Sequence, residues 1–288
     1  MACADAGRWS AGLADNGGMN AQPSRTRGES TTPSVTPITR EQLAQAFDSL
    51  LQPERFKDYG PNGLQVEGKR DICTLVSGVT ASRALIEAAI TAQADAILVH
   101  HGLFWRGQDG RVTGWMKQRL ALLLAHDINL FAYHLPLDAH PQLGNNAQLG
   151  ALLGLQVESH FGEQDLGCLG RWVDGQPAMS GVELVRHIEN KLKRPVASVN
   201  GAFDAIEKVG WCTGGAQGYF EPAIAAGAQA YITGEISEPQ AHLARECGVM
   251  YLACGHHATE RYGAPAVAAH VARELGLVHR FIDIDNPA

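Results

Sequence analysis

The chain has 288 residues, 45% of them hydrophobic and 18% charged, with a formal net charge of −7, as in an ordinary globular protein of one or two domains. The acidic balance excludes a dedicated nucleic-acid binder, whose phosphate partner needs a concentrated basic surface, although a local basic patch is compatible with it. No run approaches the roughly 18 apolar residues needed to cross a bilayer, so no membrane role is expected.

Residues Met1 to about Pro37 are rich in Ala, Gly, Ser, Thr and Asn without an apolar period, and read as a disordered N-terminal arm over 1–37. The start lacks a basic-then-apolar signal pattern. The six cysteines form no Cys-x-x-Cys pair and read as reduced, mostly buried side chains. Both features point to the cytoplasm.

Thr39 is expected to cap a helix through Leu51, with Leu43, Phe47, Leu50 and Leu51 in its apolar stripe. A turn-rich loop from Asp58 to Gly68 follows, leading into a short strand, and its Asn62-Gly63 reads first as turn chemistry. Strand Cys73 to Gly78, helix Arg83 to Thr91 and strand Ala96 to Val99 compose a β-α-β unit with parallel strands. Beyond them come helix Val112 to His126, strand Ile128 to Tyr133 and a helix within Gly144 to Gly154 that glycine ends. Strand Asp165 to Val173 and helix Gly181 to Leu192 precede strand Lys208 to Cys212. The next residues, Thr213-Gly214-Gly215-Ala216-Gln217-Gly218, open helix Tyr219 to Ala226. That turn lacks a Lys or a full nucleotide fingerprint, so it reads as tight packing ahead of phosphate contact. Strand Ala230 to Thr233, helix Pro239 to Glu246, a strand into His256, helix Ala264 to Leu275 and strand Arg280 to Ile284 complete the order.

Three of these strands deliver chemistry. Ala96-Ile97-Leu98-Val99 runs straight into His100-His101-Gly102. Asn129 to Tyr133 runs into His134-Leu-Pro-Leu-Asp138, and Met250 to Gly255 into His256-His257-Ala-Thr-Glu260. A lone strand-end histidine is more often a hydrogen-bonded core residue, but imidazoles and carboxylates repeated in this form are the donor set of zinc, iron or manganese.

The chain also matches itself. An offset of 134 residues lays Leu75–His101 over Val209–Glu235, with His100-His101 on Gly234-Glu235; an offset of 122 puts His134 on His256 and Asp138 on Glu260. Two related α/β halves are expected, 38–160 and 161–288, with the C-terminal strand able to return to the first. Packed about a pseudo-twofold, they would gather His100, His101, Asp138, His256 and Glu260 in a shared cleft. Five mixed donors suit two metals sharing a carboxylate better than one tetrahedral zinc.

The joined motifs His100-His101-Gly102 with Trp105, His134-Leu-Pro-Leu-Asp138, Gly144-Asn-Asn, Thr233-Gly234-Glu235 and Gly255-His256-His257-Ala-Thr-Glu260, with Asn62-Gly-Leu-Gln-Val upstream, are similar to a known family. From Thr36 to Ala288 the chain resembles the short bacterial form of the NGG-interacting-factor-three-like family, whose members are labelled GTP cyclohydrolase I type 2 homologues or dinuclear metal centre hexameric proteins. The resemblance implies two pseudo-repeated α/β domains around a metal cleft, a toroidal homohexamer, and two divalent ions per chain held by His100, His101, Asp138, His256 and Glu260. It places His134 close to the metals as a catalytic proton shuttle, and leaves His257 as a spacer and His140 and His242 as surface or helix-face residues.

The implied activity is a metal-dependent hydrolase resembling GTP cyclohydrolase, in which water attacks a small, nucleotide-like substrate. The competing reading is a non-catalytic ring acting as a scaffold, metal chaperone or nucleic-acid-associated regulator.

Overall fold

A computed structural model describes residues 36–288, and the arm expected over 1–37 lies almost wholly outside them. Strands β1 (Ile38–Thr39) and β3 (Asp71–Ile72) pair antiparallel, flanking α1 (Arg40–Leu51) and β2 (Gly63–Val66). Thr39 caps α1 as its sequence suggests, accepting from Gln42 N while the Gln42 side chain accepts from Thr39 N. The chain then alternates through β4 (Thr74–Thr80), α2 (Arg83–Thr91), β5 (Ala96–His101), α3 (Gly114–Ala125) and β6 (Asn129–Ala132). The five-residue α4 (Leu135–Ala139) and then α5 (Asn145–Leu153) follow.

The rest runs through β7 (Leu155–Phe161), β8 (Gly167–Trp172), α6 (Gly181–Leu192), β9 (Ala197–Val199), β10 (Lys208–Trp211) and α7 (Phe220–Ala225). It ends with β11 (Ala230–Thr233), α8 (Glu238–Cys247), β12 (Met250–Ala253), the five-residue α9 (His256–Glu260), α10 (Gly263–Leu275) and β13 (Val278–Phe281). Among the described residues no helix is long and apolar enough to cross a membrane.

Besides the small β1-β3 pair, two larger sheets result, in a mixed α/β fold. The first has the order β13-β4-β5-β6-β2, parallel except for the edge strand β2. The second has the order β7-β8-β10-β11-β12-β9, with a parallel centre of β10, β11 and β12. The central strands β4-β5-β6 and β10-β11-β12 are the segments that the sequence lays over each other. Besides the two-residue β1 and β3, two strands carry no readable sequence signal. In β7 only the terminal Leu155 and Phe161 are buried, and β9 is a three-residue edge.

Alternation along the buried strands sorts the first core into two layers. Leu75, Leu98 and Phe131 face α1 and α10, against Leu43, Phe47, Val267 and Val271. Val76, Ile97, Val99 and Leu130 face α2 and α3, against Leu85 and Leu123. In the second sheet Val209, Trp211, Ile232 and Leu252 pack with Leu149 and Leu153 of α5 and with Leu184 and Ile188 of α6. The two halves therefore exchange helices: α5 follows β6 yet covers the second sheet, and α10 follows β12 yet covers the first. β13 makes the same return, pairing with β4.

Candidate metal centre

The strand ends meet where α4 and α9 leave the two sheets. His100 and His101 close β5, His134 follows β6, and Asp138 sits on α4, while His256 and Glu260 lie one turn apart on α9. The i,i+4 spacing puts His256 Nε2 3.2 Å from Glu260 Oε2. His101 Nε2 reaches the same oxygen at 3.2 Å, and His100 Nε2 lies 3.4 Å from Glu260 Oε1 and 3.5 Å from Asp138 Oδ1. The structure thus brings together all six residues singled out in the sequence. They compose three overlapping candidate ion-binding groups: His100, His101 and His134; His101, His256 and Glu260; and His100, Asp138 and Glu260, with donor atoms within 4.8 Å of one another in each.

Each imidazole is held by its far nitrogen. His100 Nδ1 is 3.2 Å from Tyr133 O, His101 Nδ1 3.1 Å from Thr80 Oγ1, His134 Nδ1 2.6 Å from Asp58 Oδ1 and His256 Nδ1 2.6 Å from Glu235 Oε1. Tethering Nδ1 fixes ring orientation and leaves Nε2 as the donor, the arrangement that metal-ligating histidines adopt. Asp138 is steadied in turn, because Asn145 Nδ2 at 2.9 Å and Thr213 Oγ1 at 3.2 Å both donate to its Oδ1.

The residues fit a bound cation. His100 Nε2 and Glu260 Oε2 are buried without a hydrogen-bond partner, which is costly for polar atoms unless something else satisfies them. Burial opposes a charge on Glu260, but His100 and His101 hold its carboxyl well below the usual range. Burial also opposes charge on His100, yet Asp138 and Glu260 raise it to about 9; against the same opposition, Glu260 and Glu235 raise His256 to about 9. His101, buried beside the charged His100, falls to about 3. Asp138 is raised by burial despite His100, with Glu260 adding to the rise. Without an ion, protons on His100 and His256 balance the carboxylates.

Several contributors were not visible in the sequence. Asp58 holds both His134 Nδ1 and Leu135 N, and Asn62 accepts from His134 N while donating to Asp58. Asn62-Gly63, which reads first as turn chemistry, also serves the site, since Asn62 braces the cluster. Glu235, the position that matches His101 in the internal repeat, had a signal in the sequence. His257 is more than a spacer, for it is buried and its Nε2 lies 2.9 Å from Asp283 Oδ1. His242 is exposed, as expected, and His140 Nδ1 accepts from Leu143 N in a turn.

Gly214 shows what the glycine-rich turn does. Its φ is +70°, a Cβ there would overlap Glu260 Oε1, and its N–H donates to Thr259 Oγ1. The turn makes room for the carboxylate and spends this N–H internally.

A cavity of about 410 Å3 opens on the cluster, with His101, His134, Asp138, His256 and Glu260 in its wall. A second pocket of about 450 Å3 lies between α7 and α8 and shares no residue with the cluster, so it is set apart from this chemistry.

The Duf34/NIF3 (NGG1p interacting factor 3) family model matches residues 38–287. The chain belongs to this family. A protein of Allochromatium vinosum named "GTP cyclohydrolase 1 type 2 homolog" is 52% identical over 247 residues, covering 85% of this chain and 96% of that protein. One of the same name from Neisseria meningitidis serogroup A is 51% identical over 251 residues, covering 87% of this chain and 100% of that protein. Among solved structures, one described as "protein ybgI, unknown function" is 44% identical with a TM-score of 0.83, covering 87% of this chain and 100% of its own. A protein of Thermus thermophilus, TTHA1606, is 32% identical with a TM-score of 0.78 over the same shares.

Proposed function

We propose that this Duf34/NIF3 chain is a cytoplasmic, homohexameric hydrolase built on two divalent ions held by His100, His101, Asp138, His256 and Glu260. One observation carries the reading: four imidazoles pinned at Nδ1 surround two buried carboxylates, and two donor atoms of this group have no other partner. Ions bound there supply Lewis acidity and acidify water near neutral pH. Glu260, with one oxygen toward His100 and the other toward His101 and His256, is the carboxylate suited to serve both ions. His134 carries protons, its Nδ1 fixed by Asp58 and its other nitrogen free beside His100 and His101. The name carried by the relatives suggests a guanine nucleotide, with one water adding to the ring, the ring opening to a formamide, and a second water cleaving that formamide to formate and a free amine.

The test begins with elemental analysis of protein purified without added metal. The metal-loaded protein is then incubated with GTP, other nucleotides, phosphoesters and amides, and products are followed by mass spectrometry. Turnover lost in His134→Ala and Glu260→Gln is expected. A fully loaded protein inert on every member of that set would overturn the hydrolase reading in favour of the non-catalytic ring.

A further inference from the structure

Beyond β13 the chain crosses from the first sheet to α9, the helix that carries His256 and Glu260. Ile282 N donates to Ser77 O at 2.9 Å, and Ile282 and Ile284 pack onto the core layer that faces α2 and α3. The residue between them, Asp283, turns the other way. Its Oδ1 lies 2.9 Å from His257 Nε2, and its Oδ2 accepts from Arg261 at 3.3 Å. Farther along, the carbonyls of Pro287 and Ala288 accept from the Arg194 guanidinium at 2.9 and 2.8 Å. That guanidinium lies against Gly255, which opens α9 at a φ of +98° and where a Cβ would overlap it. Residues 282–288 thus compose a strap, anchored on the first sheet and tied to α9.

His257 and Arg261 are spaced i,i+4, as are His256 and Glu260, so the two pairs occupy adjoining faces about 100° apart round the helix. One face turns to the candidate centre, and a single carboxylate holds the other. A cavity of about 280 Å3 lies between strap and helix, with His257, Ala258, Arg261 and Asp283 in its wall. Hydrogen bonds, more than close packing, therefore set the roll of α9 on this side. Roll bears unequally on the two candidate ion positions. The group of His101, His256 and Glu260 draws two of its three donors from α9, whereas the group of His100, Asp138 and Glu260 draws one. The remaining donors belong to the first half, where the strap is anchored.

We infer that Asp283 is a positioning residue of the metal centre, setting through His257 and Arg261 the angle at which α9 presents His256 and Glu260 to the donors of the first half. The inference rests on the two-ion reading just proposed and adds to it a contact outside the ligand set. Side chains that orient ligands from behind are worth about 10- to 100-fold in metal affinity.

Titration of the metal-free protein with cobalt(II), followed by calorimetry and by the absorption spectrum of the bound ion, tests it through the two binding steps. Asp283→Ala should weaken one step by about tenfold or more and the other far less. Asp283→Asn, which keeps an acceptor for Arg261 and an amide for His257, should recover most of the loss. Asp285→Ala removes the same charge from the same strap without touching either hydrogen bond, and should leave both steps as in the wild type. Should Asp283→Ala not fold, Arg261→Ala and His257→Leu break the same contacts from the helix side and should show the same unequal loss. The inference falls if the steps are unchanged when these contacts are broken, or if both weaken equally, as a general loosening of the fold would make them. It falls equally if Asp285→Ala reproduces the loss or Asp283→Asn fails to recover it, since charge alone would then be the cause. A wild-type protein that takes up fewer than two cobalt ions removes the two-ion reading and this inference with it. Because binding is the readout, two ions bound without turnover leave this inference standing without the hydrolase. Turnover with both steps unchanged in Asp283→Ala does the reverse.

Discussion

Glu260 is the point on which three imidazoles converge, and in the proposed two-ion centre it would be the shared anion that offsets the repulsion between the cations. Glu260→Gln keeps the shape and removes the charge, so metal content should fall from about two ions per chain toward one or none by elemental analysis. His134→Ala should retain both ions yet slow any hydrolysis by about 10²- to 10⁴-fold. An emptied site in that variant would mean that His134 is itself a ligand, which its membership in one of the three donor groups makes a sharp test. Protons give a third readout. The folded values of His100 and His256, about 9, stand above the ordinary 6.5. Their charges therefore stabilise the metal-free fold fully below pH 6.5, and that contribution is lost as pH rises through about 9. A cation needs the same nitrogens bare, so uptake at about pH 7.5 should release protons. Calorimetry in buffers of different ionisation enthalpy measures this, and a heat independent of buffer would contradict the assignment. At this scale the histidines were legible because each follows an apolar run. Asp58, Thr80 and Asn145 were not, because their role exists only once distant loops converge.

The short helices α4 and α9 carry the carboxylates, and each is braced by neighbouring backbone. Gly214 presses against Glu260 at a φ that favours glycine. Gly214→Ala should destabilise the fold by about 1–3 kcal/mol and weaken metal binding at the same time, read from paired thermal melts with and without metal. A loss of stability with unchanged metal affinity would separate the turn from the centre. The loop between β7 and β8 braces the other side: Gln164 accepts from Lys57 N at 2.7 Å and donates to Lys57 O at 3.2 Å, next to Asp58. The strand-helix-strand units were legible from apolar runs bounded by turn residues, and the offset match located their repeats. β7 escaped because Val157 is exposed and the residues around it alternate without a buried face. β9 escaped because three edge residues make no pattern.

For the whole molecule, the sequence halves and the packing units differ. The internal repeat announces two sheets, but no local pattern says that α5 and α10 will change partners, since an apolar helix face fits either sheet. Val112, Trp115 and Leu124, at or near α3, are all more than half exposed, surface that an oligomer would cover. Sedimentation or light scattering at micromolar concentration should find an assembly, six chains by the proposal above; a monomer alone would refute it. The helix exchange has a consequence for how the chain can be cut. The loop around Asp174 and Gly175 is exposed and lies between β8 and α6. Fragments 36–174 and 175–288 would each lack what the other holds: the first loses α10 and β13 from its sheet, and the second loses α5, β7 and β8. Neither should fold alone, yet co-expressed they should reassemble into a stoichiometric complex that binds metal. Complementation would make the junction between halves dispensable as a covalent link, with the traded helices serving as the clasp.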